Sequence, residues 1–313
     1  MRRQLRGSVV VVTGASSGIG RASALAFARQ GAKVVVVGRA EQSLVHVVAA
    51  CEALGATAVA VPADTAQLED LERILRVALQ RFGRVDTWVN AAAGLVVGPF
   101  GSEDLAAVDR ILATNIRGTT LASRVCLAQF HEQGHGVLVN VASMLGVVVN
   151  PMAPIYVMTK FAVRGLSLSL HHATRGHPGI RVCVVLPSAV DTPMFQHAAN
   201  STGRALRAIP PATSPERVAA AILGCARRPR RQRPVGVIAR AILLGLRLSP
   251  ALTELFVARW SGSLLLRSSS APASHGALDV PQGPGATSGG WRRGRVRRRL
   301  GDALGRAHAA RLH

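Results

Sequence analysis

The segment Thr13-Gly14-Ala15-Ser16-Ser17-Gly18-Ile19-Gly20 follows the valine run Val9–Val12 directly and opens a helical stretch that reaches Gln30. A strand, a tight glycine turn and a helix N-terminus, in that order, make a pyrophosphate site. Glycines let backbone N–H groups approach phosphates, and the helix dipole adds a favourable field. The spacing is GxxxGxG rather than the GxGxxG of many dinucleotide-binding folds. Glycines also mark plain turns; what favours the phosphate reading is the position, directly after an apolar strand near the N-terminus.

The alternation continues outward along the chain. Valine-rich runs read as strands at Ser8–Thr13, Ala32–Gly38, Thr57–Pro62, Val85–Asn90, Gly136–Ala142 and Ile180–Leu186, with Val235–Ile238 as a last one. Helical patterns lie near Gly18–Gln30, Glu41–Leu54, Ala66–Phe82, Leu105–Thr114, Gly118–Gln133, Tyr156–Thr174 and Glu216–Ala226. Nearly continuous apolar strands alternating with helices predict a parallel sheet covered on both faces. Right-handed crossovers then make it a Rossmann-type doubly wound α/β fold. Beyond it, Ile238–Leu248 and Ala251–Trp260 read as helices, Ser268–Gly290 is rich in Ser, Gly and Pro, and Trp291–His313 is rich in Arg. The chain thus divides into a dinucleotide-binding catalytic domain over 1–238, a helical extension over 239–267 and a weakly ordered, Arg-rich tail over 268–313. That tail is expected to be dispensable for the fold.

Composition sets limits on function. Of 313 residues 49% are apolar but only 4% aromatic, so the core must come from Val, Ala and Leu, and wholesale disorder is excluded. Cys51, Cys126, Cys183 and Cys225 are far apart and form no CxxC pair. This argues against zinc and against a secreted disulfide scaffold, and fits a reducing, cytoplasmic compartment. The histidines lack an HExxH or paired-Cys context, so no metal is expected. Met1-Arg2-Arg3 and the short run Val9–Val12 are too brief for a signal peptide. The longest stretch free of Asp, Glu, Lys and Arg lies between Glu132 and Lys160. It contains Asn140, Asn150, Pro151 and Pro154, and reads as a buried strand and loop rather than a membrane span.

The formal charge of +22 points to nucleic acid or an anionic surface, but most of the excess lies beyond residue 203. The clusters Arg227–Arg233 and Arg292–Arg299 have only Trp291 as a nearby aromatic, so no specific nucleic acid is expected. The two C-terminal helical patterns carry Arg240, Arg247 and Arg259 among apolar residues. They fit helices packed on the domain or on a partner subunit, and also helices lying on a membrane surface.

Candidate site residues come next. The second strand ends Val37-Gly38-Arg39 with no acid for the adenosine ribose. An arginine there suits the 2′-phosphate of NADP; a solvated surface arginine is the plain alternative. Asp64 is placed either to meet the adenine edge or to cap the Ala66–Phe82 helix. Tyr156 is the sole tyrosine, and Lys160 lies four residues on, on the same helix face. An ammonium beside a phenol stabilises phenolate. Lowering its pKa from about 10 to near 7 takes roughly 4 kcal/mol, and such a tyrosine exchanges protons near neutral pH.

Taken together, TGASSGIG at 13–20, Asn90, Asn115, Ser143, Tyr156 and Lys160 resemble the short-chain dehydrogenase/reductase family, in a bacterial-type member with a C-terminal extension. Ser143 precedes Tyr156 at that family's spacing, Thr114-Asn115-Ile116 resembles its active-site asparagine segment, and Pro187-Ser188-Ala189-Val190-Asp191-Thr192 resembles its PGxVxT segment. Two departures add small side chains near the cofactor: Asn90-Ala91-Ala92-Ala93 replaces NNAG, and Ser188 replaces a glycine.

The resemblance implies hydride transfer between NADP(H), with NAD(H) second, and an alcohol or carbonyl compound. It implies that Gly14, Ser16, Ser17, Gly18, Ile19, Gly20, Arg39, Asp64, Asn90, Pro187, Val190 and Thr192 serve the cofactor together with Tyr156 and Lys160. Tyr156 would be the acid or base, Lys160 its pKa partner, Ser143 the holder of the substrate oxygen, and Asn115 the holder of a water. Asn90 would be structural, and Thr192 would meet the nicotinamide amide. A homodimer or homotetramer through Gly118–Gln133 and Tyr156–Thr174 is implied as well. Met194 opens a lid over Pro193–Arg207. With Phe195, Met144, Leu145, Val96 and Met152 it suggests an apolar cleft and a bulky, poorly charged substrate. A cofactor-binding scaffold without turnover and a membrane-peripheral adaptor are the rival functions.

Overall fold

The structure, a computed structural model, describes residues 3–280 and 285–292. Its strands are β1 (Val9–Thr13), β2 (Lys33–Gly38), β3 (Ala58–Pro62), β4 (Thr87–Asn90), β5 (Val96–Val97), β6 (Gly136–Val141), β7 (Ile180–Pro187), β8 (Ala199–Asn200), β9 (Arg204–Leu206), β10 (Gln232–Val235) and β11 (Leu266–Ser270). Seven of them form one sheet in the order β10-β7-β6-β4-β1-β2-β3, with every neighbouring pair parallel. β1 is central because it is apolar on both faces, and all five of its residues are buried.

Alternate residues of a strand face opposite ways. Val10 and Val12 pack with Phe27, Leu44 and Ile222, under α1 (Gly18–Ala28), α2 (Glu41–Glu52) and α7 (Pro215–Arg227). Val11 and Trp88 pack on the other face with Leu71, Ile74 and Phe130, under α3 (Leu68–Phe82) and α5 (Thr119–Gln133). Strand order reverses between β1 and β4, which opens a crevice at their carboxyl ends. All four cysteines are free and buried. Among the described residues no helix is long and apolar enough to cross a membrane, and no group of His, Cys, Asp and Glu could hold a metal ion.

The structure shifts three of the sequence-based boundaries. The last strand is Gln232–Val235, not Val235–Ile238; Gly236, at φ +107°, ends it, and Val237 begins α8 (Val237–Leu248). An edge strand is hydrogen-bonded on one side only, so it tolerates Pro234 and polar residues that hide it from an apolar search. The segment Pro193–Arg207 is tied down at its middle by β8 pairing with β5, and near its C-terminal end by β9 pairing with β11. Residues past Ser268 were expected to be weakly ordered, but those described are held by hydrogen bonds. Ser274 bridges Asn200, and 277–280 and 285–291 lie against the carboxyl ends of the strands. Residues 281–284 and 293–313 of the tail, with most of the Arg292–Arg299 cluster, lie outside the described residues.

Candidate active site

The glycine turn sits where β1 meets α1, on the switch-point crevice. Gly14 has φ +67°, and a Cβ there would come within 2.7 Å of the Ala92 amide nitrogen. A Cβ on Gly20 would meet the Gly14 carbonyl at 2.1 Å. The turn is therefore closed to side chains at two points, and Gly18, at φ +51°, leads into α1. Ser17 precedes α1 without a side-chain cap, so the first amides of α1 are not satisfied by their own cap. Thr13 Oγ1 accepts from the Ala91 and Ala92 amides at 3.1 and 3.3 Å and holds the β4 loop beside the turn.

Ser16, Ser17, Ile19, Arg39, Asp64 and Thr192 line the same groove of about 200 Å³. Arg39 is half buried, and desolvation followed by the nearby Arg110 lowers its pKa. Among the described residues its hydrogen bonds go only to carbonyls, of Ala277, Leu278 and Asp279. Carbonyls satisfy its donors, and the Asp64 and Asp279 carboxylates lie near enough to act on its charge. The glycine cradle fits the pyrophosphate of a dinucleotide.

Asp64 is engaged elsewhere. It accepts from the Ala66 amide at 3.0 Å and pairs with Arg110 at 2.6 Å. Burial opposes its ionisation, but the Ala66 amide and Arg110 outweigh that and hold its pKa low. It caps the turn at Ala66 rather than α3, whose N-cap is Gln67. Asn90 lies in a buried network, accepting from Trp88 Nε1 at 2.9 Å and donating to Asn140 Oδ1 at 2.9 Å; Asn140 in turn donates to Ser167.

Tyr156 and Lys160 lie one turn apart on α6 (Pro154–Ala173), which starts with Pro154 in its first turn. Both are buried, at 8% and 3% exposure. Lys160 Nζ donates to the Val141 carbonyl at 3.2 Å and stands 5.4 Å from the centre of the Tyr156 ring. The expected lowering of the tyrosine pKa is reversed in this geometry. Burial raises it well above its ordinary value, against the pull of a hydrogen bond with Ser143. Burial also pushes the Lys160 ammonium down to about 8. Desolvation wins because Nζ is directed at a carbonyl. Ser143 sits after β6 and accepts from the Leu145 amide at 3.1 Å.

Asn115 lies on a π-helical turn, Ala113–Gly118, between α4 (Leu105–Leu112) and α5. Such turns often mark functional sites. Its amide joins the β4 loop to α6, bonding Gly94 N–H at 2.8 Å, the Gly94 carbonyl at 3.1 Å and Thr159 Oγ1 at 3.0 Å.

Ser143, Tyr156 and Lys160 open onto a second cavity of about 590 Å³. Pro187, Val190, Thr192 and Met194 line it too. Its far wall comes from α8 and α9 (Pro250–Leu265), through Ile242, Val257, Trp260 and Leu264. Sequence reading saw both helices as apolar but did not place them over the Tyr–Lys pair. Their spacing to the motif residues carries no signal, and only the return of the chain over β7 brings them there. Asn150 Nδ2 and Ser261 Oγ are buried in residues that line this cavity and have no hydrogen-bond partner among the described residues.

Comparison with known proteins bears on this geometry. The short chain dehydrogenase family model matches residues 8–202. YxnA of Bacillus subtilis, named as an uncharacterized oxidoreductase, is 34% identical over 260 residues, covering 80% of this chain and 72% of the relative. An uncharacterized oxidoreductase of Thermotoga maritima is 34% identical over 60% of this chain and 73% of its own length. A protein of Streptomyces virginiae named as an A-factor type gamma-butyrolactone 1′-reductase is 38% identical over 59% of this chain and 73% of its own. With a Rossmann-type sheet, a glycine turn at its switch point and a Tyr–Lys pair in the adjoining cavity, the chain belongs to the short-chain dehydrogenase/reductase family, NAD(P)-dependent oxidoreductases of CH–OH and carbonyl groups.

Proposed function

We propose that the chain transfers a hydride between NADP(H) and an apolar alcohol or ketone. The observation that carries this reading is that Ser143, Tyr156 and Lys160 share one largely apolar cavity. The bound nicotinamide supplies the hydride. Tyr156, at the cavity shared with Ser143 and Lys160, is placed to give a proton to the carbonyl oxygen in reduction and to take one from the alcohol in oxidation. Ser143, which lines the same cavity, holds the same oxygen and stabilises its developing negative charge. Lys160 brings a cation to the Tyr156 ring, Asn115 fixes the loop and helix on either side, and Thr192, which lines both the groove and the cavity, serves the nicotinamide end. Arg39 selects the 2′-phosphate.

The size and lining of the cavity support a bulky, uncharged substrate, and the Streptomyces relative is named for a reductase activity. Titration with NADPH and NADH, followed by a panel of ketones and alcohols read by nicotinamide absorbance, tests this proposal. A scaffold without turnover would bind nucleotide and oxidise or reduce nothing.

Partners are proposed on surface observations. Met158 and Phe161 are exposed on α6, which supports self-association through α5 and α6. Leu244, Leu248, Leu252, Leu255, Phe256 and Trp260 are exposed on α8 and α9 beside Arg240, Arg247 and Arg259, which supports peripheral contact with an anionic bilayer. Vesicle sedimentation that is equal with anionic and zwitterionic lipid, or absent, would remove that second reading.

A further inference from the structure

We infer that residues 277–280 and 285–291 form an intramolecular competitor for the dinucleotide groove, so that cofactor binds only when this segment is released. The inference rests on the reading of the groove as the NADP(H) site. Its basis is that the segment spends its hydrogen bonds on the groups that a dinucleotide needs.

At the adenosine end, Arg39 donates to the carbonyls of Ala277, Leu278 and Asp279, the last two from one nitrogen. Arg110 adds a bond to the Leu278 carbonyl at 3.1 Å. The Leu278 side chain is buried in a cluster with Ile111, so close to Gly94 that a Cβ there would come within 2.7 Å of it. At the pyrophosphate end, Gly18 N–H donates to the Ala286 carbonyl at 2.9 Å, and Arg21 donates to the Gly285 carbonyl. Gly285 N–H reaches Ser43 Oγ at 3.2 Å. At the far end, Trp291 Nε1 donates to the Thr192 carbonyl at 2.9 Å. Asp191 accepts from Ser288 Oγ and from the Trp291 amide, both at 2.9 Å. Peptide carbonyls thus meet the glycine-turn amide and the arginine where phosphate oxygens would be accepted. Both cannot be present at once.

Two glycines make the fit possible. A Cβ on Gly285 would lie 1.8 Å from the Ser16 carbonyl oxygen, and one on Gly289 would lie 2.3 Å from the Thr192 carbonyl oxygen. Both obstacles are backbone, so neither can move aside cheaply. Because the segment is part of the chain, it competes at a fixed effective concentration whatever the protein concentration. The apparent cofactor affinity is reduced by the fraction of molecules in which the groove is open.

The experiment uses the full chain carrying Gly285→Val and Gly289→Val together, compared with the unaltered chain. Gly285 lines the groove only as part of the docked segment, and neither glycine is among the residues proposed to hold the cofactor. NADPH affinity is measured by calorimetry, and hydrogen exchange of the unaltered chain is followed with and without NADPH. The expected result is a Kd lower by roughly tenfold or more in the variant, the factor by which docking reduces the open fraction. In the unaltered chain, NADPH should speed exchange in 277–280 and 285–291 while slowing it in 14–20. Equal affinities overturn the inference, as does a variant that binds more weakly or a segment protected by NADPH, since either would make it a cover over bound cofactor. If neither chain binds NADPH or NADH, the reading of the groove itself is wrong, a result distinct from equal affinities.

Discussion

The glycine-turn half of the site and the α8–α9 wall differ in what holds them. The turn is fixed by backbone: Gly14 and Gly20 admit no Cβ, and Thr13 pins the neighbouring loop. The wall is fixed by apolar packing. Of α8 only Ala239 is fully buried, while Leu244, Leu252 and Phe256 stand 58%, 68% and 66% exposed. The first half must hold one ligand in one geometry, so single atoms matter. The second can vary its side chains without breaking the sheet, which is where a family sharing one chemistry can differ in substrate.

The sharpest test of that division is Tyr156→Phe. The ring and its packing stay, and only the proton is lost. Turnover should fall by about 10²–10⁴-fold, the usual worth of a positioned acid, with NADPH affinity within a factor of two. Retention of turnover would move the acid elsewhere in the cavity. Arg39→Asp tests the groove. It should lower the ratio of NADPH to NADH affinity by roughly 100-fold, because a charge-assisted bond becomes a repulsion. Taking the ratio cancels any effect on residues 277–280 and 285–291. An unchanged ratio in calorimetry would return Arg39 to the status of a surface residue.

Lys160 should show that the motif half is built at the expense of stability. Its pKa falls from 10.5 to about 8 on folding. Between those values the unfolded chain holds more protons, so stability rises with pH there, and the full penalty applies below about 8. Lys160→Met should therefore raise stability near pH 7 by up to about 3 kcal/mol while abolishing turnover, and should flatten the rise between pH 8 and 10.5. Denaturant unfolding at pH 7 and pH 10 measures both. A less stable variant at pH 7 would mean that the ammonium is better solvated than its bond to Val141 implies.

How far each half could be read in the sequence follows from the same difference. The valine runs of β1, β2, β6 and β7 announce a parallel sheet because strands buried on both faces need continuous apolar residues. The groove and the Tyr156–Lys160 pair were legible because backbone closeness demands glycine and a helical turn demands i, i+4 spacing. The β10 edge strand was misplaced since polar residues and Pro234 suffice there. Low apolar content past Ser268 was read as weak order. Yet a segment that docks through its own carbonyls and amides needs little apolar surface, and among its described residues Leu278 is the one deeply buried side chain. The pKa of Tyr156 could not be read at all, because spacing puts Lys160 on the right face without saying where Nζ points.

The smallest expected effect lies in the wall, at Ser261. Its Oγ is buried and without a partner among the described residues, as is Asn150 Nδ2, and both residues line the cavity that contains Tyr156. An unpaired buried hydroxyl costs about 1–3 kcal/mol, so its deletion with little change in volume should leave stability unchanged or slightly higher. A hydroxyl kept for a substrate oxygen remote from the reacting carbon behaves differently once substrate is bound. Ser261→Ala should raise KM roughly threefold to tenfold for ketones with such a second oxygen, the worth of one neutral hydrogen bond. KM for ketones lacking it should stay as it is, and kcat should stay for both, because the lost contact is equal in ground and transition states. Two matched ketones, assayed with both proteins, decide the matter. A uniform rise in KM would mean that Ser261 shapes the wall, and a drop in melting temperature would mean that its hydroxyl has a partner within the fold.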